Sequence, residues 1–270
     1  MPTPVKEFLY SVVQIETTGK NGAISSGTSF VFKDLSSPIE HQLFLVSNKH
    51  VVSDAESGVV FLTKKDSNGM PILGDTIFLK NDGFAMQWYG HPEDNVDVSI
   101  MPLSWQLDLV AKDGSNVFLR PIILNDVASD DVFDNLDVSA PILFIGFPNG
   151  MFDEKHYLPI VRRGYVATSP NLDFNGEPFF LIDASVFPGS SGSPVFTVGE
   201  NIIGGTPALK LLGIVSAVYT QSTDGSISWI PAPSNMVPIP SIKQMIDLGI
   251  VFKVKCIEET IRDFWRTRPS

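Results

Sequence analysis

A serine hydroxyl becomes a nucleophile only when a base stands within hydrogen-bond reach, and the charge it creates on an attacked carbonyl needs converging amide donors. Both requirements draw attention to one stretch of this 270-residue chain, Ala184 to Phe196, whose centre reads Pro188-Gly189-Ser190-Ser191-Gly192-Ser193-Pro194. Ser191 stands between Gly189 and Gly192, and glycine, lacking a Cβ, lets neighbouring amides approach a single point. The oxyanion turn is therefore expected at Gly189, Ser190 and Ser191, with the amides of Gly189 and Ser191 as donors. Taken alone, Gly, Pro and Ser are also the ordinary residues of turns without chemistry. The weight of the reading rests on partners elsewhere in the chain.

Two upstream segments supply them. Leu45 to Val52 reads as a strand ending in His50, and an imidazole, with an ordinary pKa of about 6.5, accepts and returns a proton near neutral pH. Asn95 to Ile100 places Asp97 at the head of an apolar, β-branched strand, where a carboxylate would hold the second ring nitrogen and fix the tautomer. An isolated histidine is more often structural, and His41, His91 and His156 take that reading because they sit in polar or loop contexts. Asp94 competes with Asp97 but lies within a Pro-Glu-Asp-Asn turn.

The order His50, Asp97, Ser191 resembles that of the chymotrypsin-type serine peptidases, and within them the bacterial trypsin-like branch of glutamyl endopeptidases and HtrA peptidases. Three further segments carry the resemblance: Ser26 to Phe32 before the histidine, the glycine-aromatic-proline turn Phe144 to Gly150, and Gly213 to Ser216, similar to the strand beside the specificity pocket. The family pattern Gly-x-Ser-Gly-x-Pro selects Ser191 over Ser190 and Ser193. It implies acyl transfer to Ser191 with His50 as general base and acid and Asp97 orienting it, on a polypeptide substrate, without metal or cofactor. The implied fold is all-β, two six-stranded antiparallel β-barrels of chymotrypsin type with a C-terminal helix.

Departures from the family refine the expectation. Digestive members carry an aspartate at the position of Ser190 and pair it with a freed N-terminus, so here the turn must be held otherwise. By resemblance, Ser185 lies at the base of the pocket for the side chain preceding the cut bond, which removes the charge partner for Arg or Lys. Val215 stands where glutamyl endopeptidases carry a histidine, and Val218 where wide-pocket members carry glycine. Small or medium apolar side chains are expected there. Ser216, Ala217 and Val218 would pair with the substrate backbone as an added strand.

These residues need a β scaffold, and composition agrees with one. The chain is 43% hydrophobic, with 19 Phe and 20 Pro spread among short Val and Ile runs. A first barrel is expected over residues 1–119, with strands near 26–33, 42–47, 59–63, 77–79, 84–88 and 98–103 after a leading strand or amphipathic segment at 7–15. Residues 120–138 read as an acidic connection, and 139–270 as the second barrel, with strands near 140–146, 158–168, 178–184, 194–198, 210–220 and 226–231. Turn signals stand at Gly199 to Gly205 and at Asp224-Gly225. Two helical turns are expected over Ser241 to Leu248, a strand over Ile250 to Lys255, and an amphipathic helix over Ile257 to Arg266 packed on the second barrel.

The net charge of −11 and the lack of a basic stripe exclude nucleic acid as the main partner. Ten acidic and two basic residues between His91 and Asp137 read as a solvated surface. Cys256, the only cysteine, is expected as a packed thiol. The first residues lack the basic start and apolar run of a signal peptide, and no membrane span is visible, so a cytoplasmic setting is expected. About thirty residues follow Pro238, so PDZ-type regulation is not expected. Two rivals to the peptidase are weighed: a closed binding module answering to a regulatory protein partner, and an esterase, for which the Gly-x-Ser-x-Gly elbow is missing.

Overall fold

The computed structural model describes residues 4–34, 42–198, 202–203, 206–207, 209–221, 227–231 and 244–267. After the short helix α1 (Pro4–Phe8), the strands β1 (Val12–Gly19), β2 (Ile24–Lys33) and β3 (Leu43–Ser47) form a meander. The helical turn α2 (Lys49–Val52) precedes β4 (Ala55–Lys65), β5 (Pro71–Asp82), β6 (Tyr89–Gly90) and β7 (Ser99–Pro102). Helices α3 (Ser104–Lys112) and α4 (Asp130–Asn135) follow, neither foreseen from the sequence. The second half holds β8 (Pro141–Gly146), β9 (Ile160–Val166), β10 (Phe179–Asp183), β11 (Pro194–Thr197), β12 (Ile202–Ile203), β13 (Thr206–Pro207), β14 (Leu211–Gln221), β15 (Ile227–Pro231), β16 (Gln244–Lys253) and α5 (Val254–Thr267).

The all-β class with paired β modules and a C-terminal helix holds. In the second half β11, β8, β9, β10, β16 and β14 pair in turn, and β11 pairs again with β14, so six antiparallel strands close a barrel. In the first half seven strands run in the order β5-β4-β1-β2-β3-β7-β6, and among the described residues the ladder does not close. The expected strand at 84–88 is a tight 3-10 turn, Phe84–Gln87. Phe84 is fully buried and packs edge-on against Trp88 at 5.7 Å, so the ring turns into the core and the backbone cannot run on as a strand.

A second correction concerns residues 241–255. In place of a helix and a short strand, one strand runs over Gln244–Lys253, and α5 begins at Val254. Ile250, Val251 and Phe252 are all buried, so both faces of this part of β16 are covered, and a strand covered on both faces needs no alternation. Residues 241–243 and the turn signals at 199–201, 204–205 and 224–225 lie outside the described residues.

One continuous core joins the halves, running from Phe30 and Phe44 through Phe144, Phe180 and Phe196 to Phe264. Helix α5 contacts the second barrel at β14 and β16 and the first sheet at β6 and β7, so it spans both halves and does not rest on one barrel alone. Phe264 packs edge-on against Phe44 at 5.4 Å, and Trp265 Nε1 donates to Asp34 Oδ2 at 2.8 Å. The connection at 120–138 is likewise pinned: Lys33 N donates to Ile122 O at 2.9 Å, and Ala128 N to Leu211 O at 3.0 Å. Of the acidic run, Asp97 and Asp126 are the two not exposed, and Asp126 pairs with Arg120 at 2.6 Å. Cys256 is a buried thiol, its pKa pushed up to about 12 by burial.

Because α5 links the halves through Phe264, Phe264→Ala is expected to lower unfolding free energy by about 3–5 kcal/mol in urea titration. A loss below about 1 kcal/mol would show that the helix is not a structural tie.

Candidate active site

His50 does not end the strand, as expected; β3 stops at Ser47, and His50 sits in the helical turn α2. Val51 and Val52 are buried in the first-half core, which turns the imidazole the other way, toward the boundary between the halves. Asp97 lies two residues before β7, between the fully buried Val96 and Val98, so its carboxylate leaves the core on the opposite side. Asn48 Nδ2 donates to the carbonyl of Asp97 at 2.7 Å, and Lys49 Nζ to that of Glu93 at 2.7 Å. These two bonds dock the loop carrying the carboxylate onto the loop carrying the imidazole.

The two side chains meet at 2.6 Å between His50 Nδ1 and Asp97 Oδ2, while His50 N donates to Asp97 Oδ1 at 3.1 Å. A carboxylate only accepts, so Nδ1 carries the proton and Nε2 keeps its lone pair. That nitrogen is buried and, among the described residues, has no hydrogen-bond partner. Ser216 Oγ donates to Asp97 Oδ2 at 2.5 Å, and Ser216 O accepts Ser191 Oγ at 3.1 Å. Ser216 thus links the carboxylate and the hydroxyl in one network. In this structure the Ser191 hydroxyl is engaged by the Ser216 carbonyl and not by the imidazole; contacts between nucleophile and base often tighten when substrate arrives.

Ser191 lies between β10 and β11 and is 1% exposed. The backbone before it forms a turn in which Ser190 N donates to Phe187 O at 3.0 Å and Gly189, the third residue, takes φ 83°. Glycine in the left-handed region at that place makes the turn type II. Gly192 takes φ 91°, and a Cβ there would lie 1.8 Å from Thr28 O. Asn149 N donates to Pro188 O at 2.5 Å. In a trans peptide the amide points opposite to the carbonyl, so this bond directs the Gly189 N–H away from the Phe147–Asn149 turn. Among the described residues neither Gly189 N nor Ser191 N has an acceptor. Ser190 lies within the turn: its amide closes it and its hydroxyl is buried without a partner among the described residues, so it donates nothing outward. The Arg162 guanidinium lies over the Phe187 ring at 4.7 Å, and burial pulls its pKa down.

Ser185 is half-buried, and Ser216, Ala217 and Val218 are buried. Ala217 and Val218, which with Ser216 were expected to pair with a substrate backbone, are paired on both edges within the chain. The edge of β14 that β11 pairs at residues 211–214 is continued by β15, with Ala217 opposite Pro231 and Val218 opposite Ile230; β16 holds the other edge. The roles of Asn48 and of the Ser216 hydroxyl were missed in the sequence. Both are polar residues ending or interrupting otherwise apolar strands, which is the signal that could have found them. His91 is buried, accepts Glu93 N at Nδ1 (3.1 Å) and faces Glu259 at 3.3 Å, tying the Asp97 loop to α5. His156 pairs locally with Asp153 at 2.8 Å, and His41 lies outside the described residues. No helix among the described residues is long and apolar enough to cross a membrane.

The chain is similar to known proteins. The chain is 29% identical over 161 residues to a probable periplasmic serine endoprotease, DegP-like, of Pseudomonas fulva (strain 12-X), an alignment covering 56% of this chain and 30% of that protein. It therefore spans less than a third of that relative's length. Among solved structures, the HtrA-type protease AlgW with a tripeptide superposes with TM-score 0.55 at 16% identity, over 96% of this chain and 62% of the other. A substituted AlgW with a decapeptide gives TM-score 0.53 at 14% identity, over 97% and 66%. These likenesses concern the fold. The model of the trypsin-like peptidase domain matches residues 27–204, more than half of the sequence, and the chain belongs to that family.

Proposed function

We propose that the chain is a serine endopeptidase that cuts peptide bonds through an acyl-enzyme on Ser191. The observation that carries this reading is the tautomer lock: a carboxylate at 2.6 Å on Nδ1 of His50, leaving Nε2 buried and, among the described residues, unpartnered, while Ser216 joins the same carboxylate to the Ser191 hydroxyl. Ser191 Oγ attacks the carbonyl carbon as His50 Nε2 takes its proton, and the oxyanion accepts from the amides of Gly189 and Ser191. His50 then protonates the leaving amine, the carbon–nitrogen bond breaks, and water repeats the sequence to release the acid. Asp97 stabilises the imidazolium throughout and keeps its own charge.

The side chain preceding the cut bond is small or medium and apolar in this reading. Ser185 brings a hydroxyl and no carboxylate, while Val186 and Val218 add buried apolar surface. The chemistry is indifferent to compartment: with a single cysteine the fold needs no disulfide, and the relative's name is periplasmic where the N-terminal residues led to a cytoplasmic expectation. A polypeptide is the substrate class, in keeping with the peptides bound to the AlgW structures.

A second reading is favoured by β15. With Val218 opposite Ile230, the strand edge a substrate would join is occupied by the chain itself, which describes a latent form in which β15 must leave first.

Ser191→Ala and His50→Ala are each expected to lower peptide hydrolysis by more than about a thousandfold without changing the melting temperature, and Asp97→Asn by about ten-thousandfold. Turnover at the wild-type rate in any of them would remove that residue from the mechanism. Ile230→Pro, which removes a strand donor, is expected in the latent reading to raise peptide kcat/KM by about tenfold or more, with phosphonylation by a small fluorophosphonate unchanged. Equal hydrolysis by the wild type and the variant would discard latency.

A further inference from the structure

The turn that carries Ser191 contains no charged residue from Phe187 to Pro194, and Ser190 Oγ is buried without a partner among the described residues. Two bonds within it, Ser190 N to Phe187 O and Ser193 N to Ser190 O, both at 3.0 Å, fix part of its conformation, and the rest is held from outside. The neighbouring strand β2 brings one residue into contact with it at two points: Thr28, fully buried, whose Oγ1 donates to Gly189 O at 2.7 Å and whose N donates to Ser191 O at 2.9 Å. The same hydroxyl accepts Phe147 N at 3.0 Å, so its proton and a lone pair are both engaged. Ser47 Oγ in turn donates to Thr28 O at 2.8 Å, fixing the backbone of Thr28 from β3.

These bonds fall in a pattern. The carbonyls of Gly189 and Ser191 belong to the peptides on either side of the Ser190–Ser191 peptide, whose N–H is one of the two outward amides. The carbonyl of Pro188, held by Asn149 N at 2.5 Å, belongs to the peptide whose N–H is the other. Through Phe147 N, Thr28 also steadies the short turn that contains Asn149. We infer that Thr28 is a positioning residue for the oxyanion turn, holding its successive peptide planes so that the Gly189 and Ser191 amides face outward together. This inference rests on the assignment of Ser191 as nucleophile.

Thr28→Val keeps the shape and the β-branch suited to a strand but leaves Gly189 O and Phe147 N without their partner. Thr28→Ser can remake both bonds. The test uses the full chain, with fluorophosphonate labelling located by peptide mass spectrometry and hydrolysis followed on a peptide substrate. If the wild type takes no label on Ser191, the nucleophile assignment itself fails, whatever Thr28 does. With labelling established, Thr28→Val is expected to stay folded with a lowered melting temperature and to label and turn over about a hundredfold more slowly, the scale of losing one oxyanion donor, with KM within about threefold. Thr28→Ser is expected within about threefold of the wild-type rate. Wild-type labelling by Thr28→Val would overturn the role. Should Thr28→Val not fold, Thr28→Ser decides alone: wild-type rates support the hydroxyl's role, and a folded variant slowed about a hundredfold overturns it.

Discussion

A planar peptide cannot present its carbonyl and its amide on the same side, and the reactive end of this molecule depends on which way one such plane is turned. At Pro188–Gly189 the carbonyl is taken by Asn149 N, which directs the amide away from that neighbour. Gly189 supplies the backbone conformation the turn needs, and a Cβ there would strike Phe147 O at 2.5 Å. The orientation is held by hydrogen bonds between neutral groups in a buried place, where each unmade bond would leave a costly orphan. No ion pair is involved, so the turn carries no titrating anchor of its own.

That arrangement explains why two β modules are needed. His50 and Asp97 come from the first half, Ser191 and Ser216 from the second, and Thr28 reaches across from β2 to the serine turn. The boundary between the halves is a continuous apolar core, so small displacements there are resisted by packing. Helix α5 and the pinned connection reinforce the same boundary from behind, and His91 joins the Asp97 loop to α5. The site is held from both halves, while β15 lies along the edge of β14 just beyond Ser216.

Much of this was legible in the residues, because the chemistry demands particular types in particular order. His50, Asp97 and Ser191 stood out through their flanking apolar strands, and Gly189 and Gly192 through the turn they permit. The rest depended on partners distant in sequence. Nothing near Thr28 or Asn48 announces that one will meet residues 161 positions away and the other the carbonyl of Asp97. The apolar run before Lys253 was divided between helix and strand because a strand buried on both faces loses its alternation. Phe84 was read as part of a strand because burial of its ring, which bends the chain, is a tertiary effect. The occupied edge of β14 was out of reach for the same reason: strand pairing is not written in composition.

The most direct measurement is a crystal structure of the protein after reaction with a fluorophosphonate. The account requires phosphorus bonded to Oγ of Ser191, one phosphonyl oxygen within hydrogen-bond distance of the amides of Gly189 and Ser191, and His50 Nε2 turned toward the adduct with Asp97 still on Nδ1. An adduct on another residue, or a phosphonyl oxygen turned to solvent with the Pro188–Gly189 plane reversed, would contradict it.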